Sequence, residues 1–328
     1  MKKLLLSTIA IIAIALTGLK AQNSIWSFPP YFSKFNPGMQ PPQPLPAPDF
    51  GQPTPFHYAG LPAEYSHNAM QDKDGNLLFF IVDGIIYDKN GYYMTTMDVW
   101  SGSGEILIVP DPTDCHLYHI FYDGIAHVNL TSHPFYFLLD MNNPTGSNSV
   151  SLANFPGIVN GGNSFVKNWY NQYAASQLRA DGSRYVFINK YDMVHIFKID
   201  ASGLSLITTY AHTNPNFPSN YSSSNANRSE MEVIEVISPI TGSPAYRLAF
   251  SYPSSNVSLG IKSNTVLNAD IDFSTGNVIS GSEEFTEYTY YNNEEAHVHG
   301  LEFSQDGIYY TFFTNLPLHT TQLLTSIQ

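Results

Sequence analysis

The sequence predicts an all-β fold, a β-propeller of repeated antiparallel meanders in which about five blade-like units are visible. Short runs of β-branched and aromatic residues dominate the chain from about residue 63 onward, and turn residues separate these runs. Helical periodicity is nearly absent. Aromatic residues make up 14% of the chain and charged residues only 12%, which is typical of half-buried strands and not of coiled coils or disordered chains.

The N-terminus has the layout of a secretory signal peptide. Lys2 and Lys3 precede an apolar stretch over residues 4–19, and Ala21 offers a small residue for cleavage. The apolar stretch of about 16 residues is shorter than the ~20 that span a bilayer. We therefore predict a signal peptide over 1–21, no membrane span after its removal, and an exported protein that is secreted, at the cell surface or outer membrane, or in the periplasm.

Residues 22–62 differ from the rest of the chain in their high proline content. Proline has no backbone N–H for a sheet ladder and fixes φ, so an extended N-terminal arm is predicted here. Aromatic residues such as Trp26, Phe32 and Phe56 are interspersed, which favours an arm that lies along the folded body. A proline-rich ligand for a partner domain is the alternative interpretation.

Five repeat units follow over residues 63–328. In each unit a turn precedes an apolar strand, a second strand ends in a polar turn, and a third strand leads away. The turns that open the units lie at residues 74–76, 112–114, 181–183, 241–244 and 306–307. Turn residues that tolerate positive φ reverse the chain between antiparallel strands. Because a single meander cannot cover both its faces, the repetition predicts sheets packed face to face, as in a propeller, with a β-sandwich pair as the alternative.

The fifth unit begins near residue 300, and only fifteen residues follow its strand at 308–313. We therefore expect this last blade to lack its outer strands and the propeller to be incomplete. A fragment of a longer secreted propeller protein is one interpretation of this pattern.

Several of these motifs resemble a known family. Residues 71–80 with 83–91 resemble the first blade of secreted β-propeller proteins of Bacteroidota, with WD-like or YncE-like blades, and residues 105–110 with 117–121 are similar to the second blade. Residues 299–307 resemble the family's recurrent G-x-E-F-S-x-D-G blade opening. Such proteins often end in a type IX secretion sorting domain, which this sequence does not show. The resemblance implies a secreted or cell-surface scaffold and supplies no catalytic residues.

Charge and cysteine content limit the function classes. Without the three lysines at or near the signal peptide, 11 basic residues stand against 27 acidic ones, a net charge of −16. Such a chain repels phosphate backbones and shows no basic patch, so nucleic-acid binding is not predicted. Cys115 is the single cysteine, so no internal disulfide can form and packing must supply the stability.

Two groups of residues could bind a metal ion. Asp72, Asp74 and Asn76 place oxygen ligands at alternate positions, as calcium loops do, although a tight hairpin turn needs the same residue types. His297 and His299 lie at i and i+2, which puts them on one strand face near the carboxylates of 294–295. Exposed strand histidines are common, and no third ligand can be identified. We predict no other cofactor.

Catalytic motifs are absent from the sequence, including G-x-S-x-G, H-E-x-x-H and a phosphate-binding glycine loop. Asp270 and Asp272 are the nearest approach to the carboxylate pair that a glycosidase needs. The leading hypothesis is a non-enzymatic binding or scaffold module with a protein or glycan partner at the cell surface or in the medium. A propeller hydrolase or lyase that acts on polysaccharide is the alternative.

Overall fold

The structure is a computed structural model. It describes the chain from residue 25 to residue 326 with gaps, over 25–34, 40–48, 56–97, 100–126, 131–146, 149–152, 155, 172–190, 193–211, 231–256, 261–290, 298–303, 309–316 and 319–326. The predicted signal peptide lies outside the described residues. Among those residues, no helix is both long and apolar enough to cross a membrane.

The described strands form six antiparallel sheets, each made from strands that are consecutive in the chain. The N-terminal sheet contains β1 (Ile25–Phe28), β2 (Tyr31–Lys34) and β3 (Gln43–Pro44). Sheet 1 contains β4 (His67–Gln71), β5 (Leu77–Val82), β6 (Ile85–Asp88) and β7 (Tyr93–Thr96). Sheet 2 contains β8 (Trp100–Pro110), β9 (Leu117–Ala126), β10 (Thr131–Asp140) and β11 (Ser149–Ser151), with a short 3-10 helix at Pro144–Gly146.

The remaining sheets repeat this meander. Sheet 3 contains β12 (Gln172–Ala175), β13 (Arg184–Lys190), β14 (Met193–Asp200) and β15 (Gly203–Ala211). Sheet 4 contains β16 (Met231–Ile237), β17 (Pro244–Asn256), β18 (Ile261–Asp272) and β19 (Glu284–Tyr290). Sheet 5 contains β20 (Val298–Phe303), β21 (Tyr309–Leu316) and β22 (His319–Ser326).

The first strand of each sheet lies next to the first strand of the following sheet. The contacts run from β1 to β4, β4 to β8, β8 to β12, β12 to β16 and β16 to β20. This succession, with each meander leading away from its first strand, is the arrangement of propeller blades. The prediction of an all-β, propeller-like fold with repeated meanders is confirmed.

Apolar cores fill the spaces between successive sheets. One core joins the N-terminal sheet to sheet 1, a second joins sheets 1 and 2, a third joins sheets 2 and 3, and a fourth joins sheets 3 and 4. Strand β5 shows the consequence for the sequence: Phe79 and Ile81 enter the second core, whereas Phe80 enters the first. A strand buried on both faces needs a continuous apolar run, not an alternating one.

The N-terminal proline-rich segment differs from the predicted extended arm. Its strands β1 to β3 form a sheet, and Ile25, Phe32 and Leu45 enter the core shared with sheet 1. Pro44 occupies β3, a two-residue edge strand beside Tyr31, where a missing N–H is tolerated. The segment therefore packs against the body as a sixth sheet that the repeat pattern does not reveal. Of the aromatic residues on which the packing was predicted, Phe32 is buried, whereas Trp26 and Phe56 are exposed.

The described residues of sheet 5 form three strands, where those of sheets 1 to 4 form four. The repeat pattern predicts a last blade that lacks its outer strands. The structure adds one strand to this blade, β22, in residues that follow the predicted strand at 308–313. This strand pairs with β21 along its whole length, from Tyr309 opposite Ser326 to Leu316 opposite His319.

Gly91 provides a test of how the N-terminal segment packs. Its φ is +85°, and a Cβ at this position would overlap the carbonyl oxygen of Pro46. Gly182 has a similar φ of +74°, but no atom lies within 4 Å of the place that a Cβ would occupy. We expect Gly182→Ala to cost about 1–2 kcal/mol of unfolding free energy from backbone strain alone. Gly91→Ala should cost more, about 3 kcal/mol, because the 43–48 segment must also move.

Urea-induced unfolding of the two variants, followed by tryptophan fluorescence and far-UV circular dichroism, measures this difference. Equal losses for Gly91→Ala and Gly182→Ala would show that the N-terminal segment does not pack on the β6–β7 turn.

Candidate functional site

The acidic turns of sheets 1 to 4 lie at one end of the sheets. In an antiparallel meander, the turns after the first and third strands lie at the same end. In sheets 1 to 4 this end carries eight turns, and seven of them contain an aspartate whose carboxylate accepts a backbone hydrogen bond within the turn. These are Asp72, Asp88, Asp111, Asp140, Asp181, Asp200 and Asp272.

Each of these aspartates makes the same hydrogen bond. One carboxylate oxygen accepts the backbone N–H of the residue two positions later, at distances from 2.7 to 3.1 Å. In the eighth turn Ser238 takes the same role and accepts the N–H of Ile240 at 3.4 Å. An Asx or Ser turn of this kind replaces backbone hydrogen bonds where the chain reverses. These seven aspartates therefore stabilise the turns.

The predicted calcium residues are one copy of this turn. Asp72 Oδ1 accepts the backbone N–H groups of Asp74, at 2.9 Å, and Asn76, at 2.8 Å. The side-chain oxygen of Asn76 accepts a hydrogen bond from Lys34 Nζ at 3.3 Å, which places a cationic group beside the turn. The turn accounts for Asp72 and Asn76 without a metal ion. Calcium binding at Asp72, Asp74 and Asn76 stays a prediction that a calcium titration can test.

The second predicted metal group cannot be assembled from the described residues. His297 lies outside them, and His299 lies in β20, in the region where the β20–β21 register shifts. Metal binding by His297 and His299 stays a prediction.

The carboxylate pair considered for hydrolysis has structural roles. Asp270 is buried and accepts two hydrogen bonds from Arg247, from Nε at 2.8 Å and from Nη2 at 3.1 Å. Asp272 Oδ1 accepts hydrogen bonds from the backbone and hydroxyl groups of Ser274 and Thr275. Neither carboxylate is positioned as a free acid or base, so this pair lends no support to a glycosidase mechanism.

The buried His119 holds the β8–β9 loop in place, a role that no motif in the sequence predicts. His119 is 2% exposed; its Nε2 lies 2.9 Å from Asp111 Oδ2, and its Nδ1 lies 2.9 Å from Tyr136 Oη. Burial lowers the pKa of His119, which favours the neutral ring, although Asp111 opposes this shift. A neutral ring that donates a hydrogen bond from Nε2 to the carboxylate can accept a hydrogen bond from the Tyr136 hydroxyl at Nδ1. Burial also raises the pKa of Tyr136, so this hydroxyl stays a donor.

Two further buried polar pairs link neighbouring sheets or neighbouring strands. The Tyr173 hydroxyl, in sheet 3, donates a hydrogen bond to the carboxylate of Asp123, in sheet 2, at 2.5 Å. Within sheet 3, Asn189 donates to the side chain of Gln172 at 2.7 Å. Because such partners meet only after the strands and sheets have packed, no local motif in the sequence predicts them.

The comparisons with known proteins add little. No family model and no curated protein matches the chain. Among solved structures, an endo-arabinase from Bacteroides thetaiotaomicron VPI-5482 aligns with 80% of this chain and 93% of its own, at 12% identity and a TM-score of 0.30. A score this low carries no argument about the function of this chain.

The turn aspartates predict how stability depends on pH. Within the turns, hydrogen bonds from Asn76 to Asp72, and from hydroxyl groups to Asp181, Asp200 and Asp272, hold the pKa of each carboxyl below its usual range. Burial raises the pKa of the Asp111 carboxyl, but hydrogen bonds from His119 and Thr113 lower it by more, so the net shift is downward. The folded state thus binds fewer protons than the unfolded state below about pH 4, and stability falls as the pH decreases through this range.

The buried His119 adds to this effect at higher pH. Its lowered pKa means that the unfolded chain takes up a proton near pH 6.5 before the folded chain does. We therefore expect the unfolding free energy to decrease from about pH 6.5 downward and more steeply below about pH 4.

Unfolding free energies measured between pH 7 and pH 3 test this expectation. The double variant Asp200→Asn/Asp272→Asn keeps turn-forming side chains but removes two titrating groups, so its curve should be flatter below about pH 4. If the two curves run parallel there, the turn carboxylates do not control acid stability.

Proposed function

We propose that this protein is an exported, non-enzymatic binding or scaffold module that meets a protein or glycan partner at the cell surface or in the medium. The observation that carries this proposal is a group of exposed aromatic side chains on the N-terminal sheet. Trp26, Phe28 and Tyr31 are 60%, 39% and 47% exposed. Exposed aromatic residues grouped on one face favour an interaction surface over a solvated one.

The strand register places these three side chains on the same face of the sheet. Trp26 and Phe28 lie at i and i+2 on β1, and Phe28 is directly opposite Tyr31 on β2. The rings of Phe28 and Tyr31 lie 6.5 Å apart, centroid to centroid. The other face carries Ile25 and Phe32, which are buried against sheet 1. The sheet thus has one apolar face that packs and one aromatic face that is open to solvent.

A second exposed aromatic group lies at the outer edge of sheet 1. Phe56, Tyr92 and Tyr93 are 70%, 52% and 39% exposed, and the backbone N–H of Tyr93 donates to the carbonyl of Phe56 at 2.8 Å. The chain over 43–48 connects the two groups, since Pro44 pairs with Tyr31 and the Pro46 carbonyl lies against Gly91. We call Trp26, Phe28, Tyr31, Phe56, Tyr92 and Tyr93 together the aromatic surface.

The chemistry of the aromatic surface supports recognition and not catalysis. Flat rings provide a large contact area at low conformational-entropy cost, for a protein surface or for the apolar faces of a sugar. The chain carries a net charge of −13, which disfavours strongly anionic partners. An uncharged glycan or a protein with few acidic groups fits these properties best.

Binding assays on the mature chain test this proposal. We would screen a glycan array and capture proteins from an envelope extract with the wild-type chain and with Phe28→Ser/Tyr31→Ser. Loss of the aromatic side chains should weaken binding of the captured partner by about tenfold or more. The matched control is Ile237→Ser/Ile240→Ser, which removes two exposed apolar side chains, 64% and 51% exposed, from sheet 4 and the turn that follows β16. This control should leave binding within about twofold.

Three results would contradict the proposal. Both screens could be empty, the two double variants could lose binding equally, or the purified protein could degrade a polysaccharide. The last result would establish the polysaccharide-acting alternative. It is measured by incubating the purified protein with a panel of plant and bacterial polysaccharides and assaying for new reducing ends.

A further inference from the structure

A cluster of metal-ligating side chains lies on the loop between β8 and β9, away from the residues of the aromatic surface in the chain. Asp114, Cys115 and His116 are consecutive, and their carboxylate oxygen, sulfur and imidazole nitrogen atoms lie within 4.8 Å of one another. We propose that these three side chains form a binding site for a zinc-type divalent transition-metal ion. This site goes beyond the proposed partner binding and does not depend on it.

The distances within the cluster match a shared ion. Cys115 Sγ lies 3.6 Å from His116 Nδ1, and Asp114 Oδ1 lies 3.1 Å from the same nitrogen. In tetrahedral zinc sites the metal lies about 2.3 Å from sulfur and about 2.0–2.1 Å from nitrogen or oxygen. Tetrahedral angles then separate sulfur from nitrogen by about 3.6 Å and nitrogen from oxygen by about 3.3 Å. The sulfur and the carboxylate oxygen lie within 4.8 Å of each other and would approach to about 3.6 Å around the ion. Asp114 Oδ1 also accepts the backbone N–H of His116 at 2.8 Å, which leaves it a second lone pair for the ion.

The same contacts argue against a nucleophilic cysteine. In a relay of the Cys–His–Asp kind, the thiol and the carboxylate use opposite nitrogens of the imidazole ring. Here both groups contact Nδ1 of His116, so the carboxylate cannot orient the ring for proton transfer from Cys115. The three donor atoms, all within 4.8 Å of one another, are close enough together to bind one ion instead.

The donor set selects the class of metal. Thiolate and imidazole ligands favour zinc and similar transition ions, whereas calcium and magnesium prefer sites made of oxygen atoms. Three protein ligands leave one position open for water or an outside ligand, as in zinc sites that exchange ligands. The negative net charge of the chain raises the local concentration of cations.

The loop is held in place before any ion binds. Asp111 Oδ1 accepts the backbone N–H groups of Thr113, at 2.7 Å, and Asp114, at 2.9 Å. Its other oxygen bonds the buried His119. On the far side of the cluster, the Tyr118 hydroxyl donates to the carbonyl of Cys115 at 3.3 Å. A preordered loop loses little entropy on binding, and Asp111 and His119 act as positioning residues for the site.

The site is also accessible from solvent. Cys115 is exposed, and the side chains of His116 and Asp114 are 52% and 48% exposed. An ion can therefore enter without opening the fold, and substitution of these residues removes no core packing.

Cobalt(II) titration of the tag-free mature chain, kept reduced, tests the site directly. We expect one cobalt ion per chain, a thiolate-to-cobalt charge-transfer band in the near ultraviolet, and displacement of cobalt by zinc. Cys115→Ser should abolish the band, and His116→Ala and Asp114→Asn should each weaken zinc binding by about tenfold or more. The matched control is Asp74→Asn, which alters an exposed carboxylate on the equivalent turn of sheet 1 and should change zinc affinity by less than about twofold.

The proposal is overturned if no charge-transfer band forms while a thiol assay shows Cys115 to be reduced, or if zinc binds equally well to Cys115→Ser. It is also overturned if Asp74→Asn weakens zinc binding as much as Asp114→Asn does. None of these measurements uses the partner-binding assay, so the site and the proposed function can fail separately.

Discussion

Burial of sheets 1 to 3 on both faces is the constraint on which the rest of this structure depends. A four-stranded meander with Phe79 and Phe80 side by side in one strand exposes apolar surface on both sides unless two neighbours cover it. The sheets solve this by stacking in chain order, with four apolar cores between successive sheets. The N-terminal sheet belongs to the same arrangement because it covers the face of sheet 1 that sheet 2 does not.

The meanders also depend on tight turns between their strands. An aspartate that accepts the N–H two residues on stabilises the turn at seven positions among the described residues. This use explains much of the acidity seen near the turns. The protein thus has two kinds of exposed surface. At the turn end of the sheets, carboxylates accept hydrogen bonds from the backbone of their own turns. On the aromatic surface, the large rings of Trp26, Phe28 and Tyr31 face solvent.

The sequence allowed the repeated meanders to be predicted because turn chemistry and apolar runs are local features. Asp181-Gly182-Ser183 before β13 is an example, since both the turn and the strand that follows can be read directly. The N-terminal sheet could not be predicted because its strands have only four, four and two residues and contain or adjoin prolines. Its identity as a sheet comes from the burial of Ile25 and Phe32 against sheet 1, which is a tertiary effect.

The buried polar pairs also could not be predicted from the sequence, because they too depend on tertiary packing. Arg247 and Asp270 are register partners on neighbouring strands but lie 23 residues apart in the chain, and Tyr173 and Asp123 lie 50 residues apart in different sheets. Asp270 could be identified as one of a carboxylate pair but not as the partner of a buried arginine. The residues of 114–116 are neighbours in the sequence, whereas the convergence of their side chains depends on how the rest of the β8–β9 loop is held.

Native-state hydrogen–deuterium exchange of the mature chain, resolved by mass spectrometry, tests most directly whether the N-terminal sheet is part of the stack. We predict that backbone amides of β1 and β2, within Ile25–Phe28 and Tyr31–Lys34, are protected to an extent similar to those of β4 to β7 in sheet 1. Exchange of these amides at the rate of an unstructured peptide, while sheet 1 stays protected, would contradict the stacking of the N-terminal sheet on sheet 1.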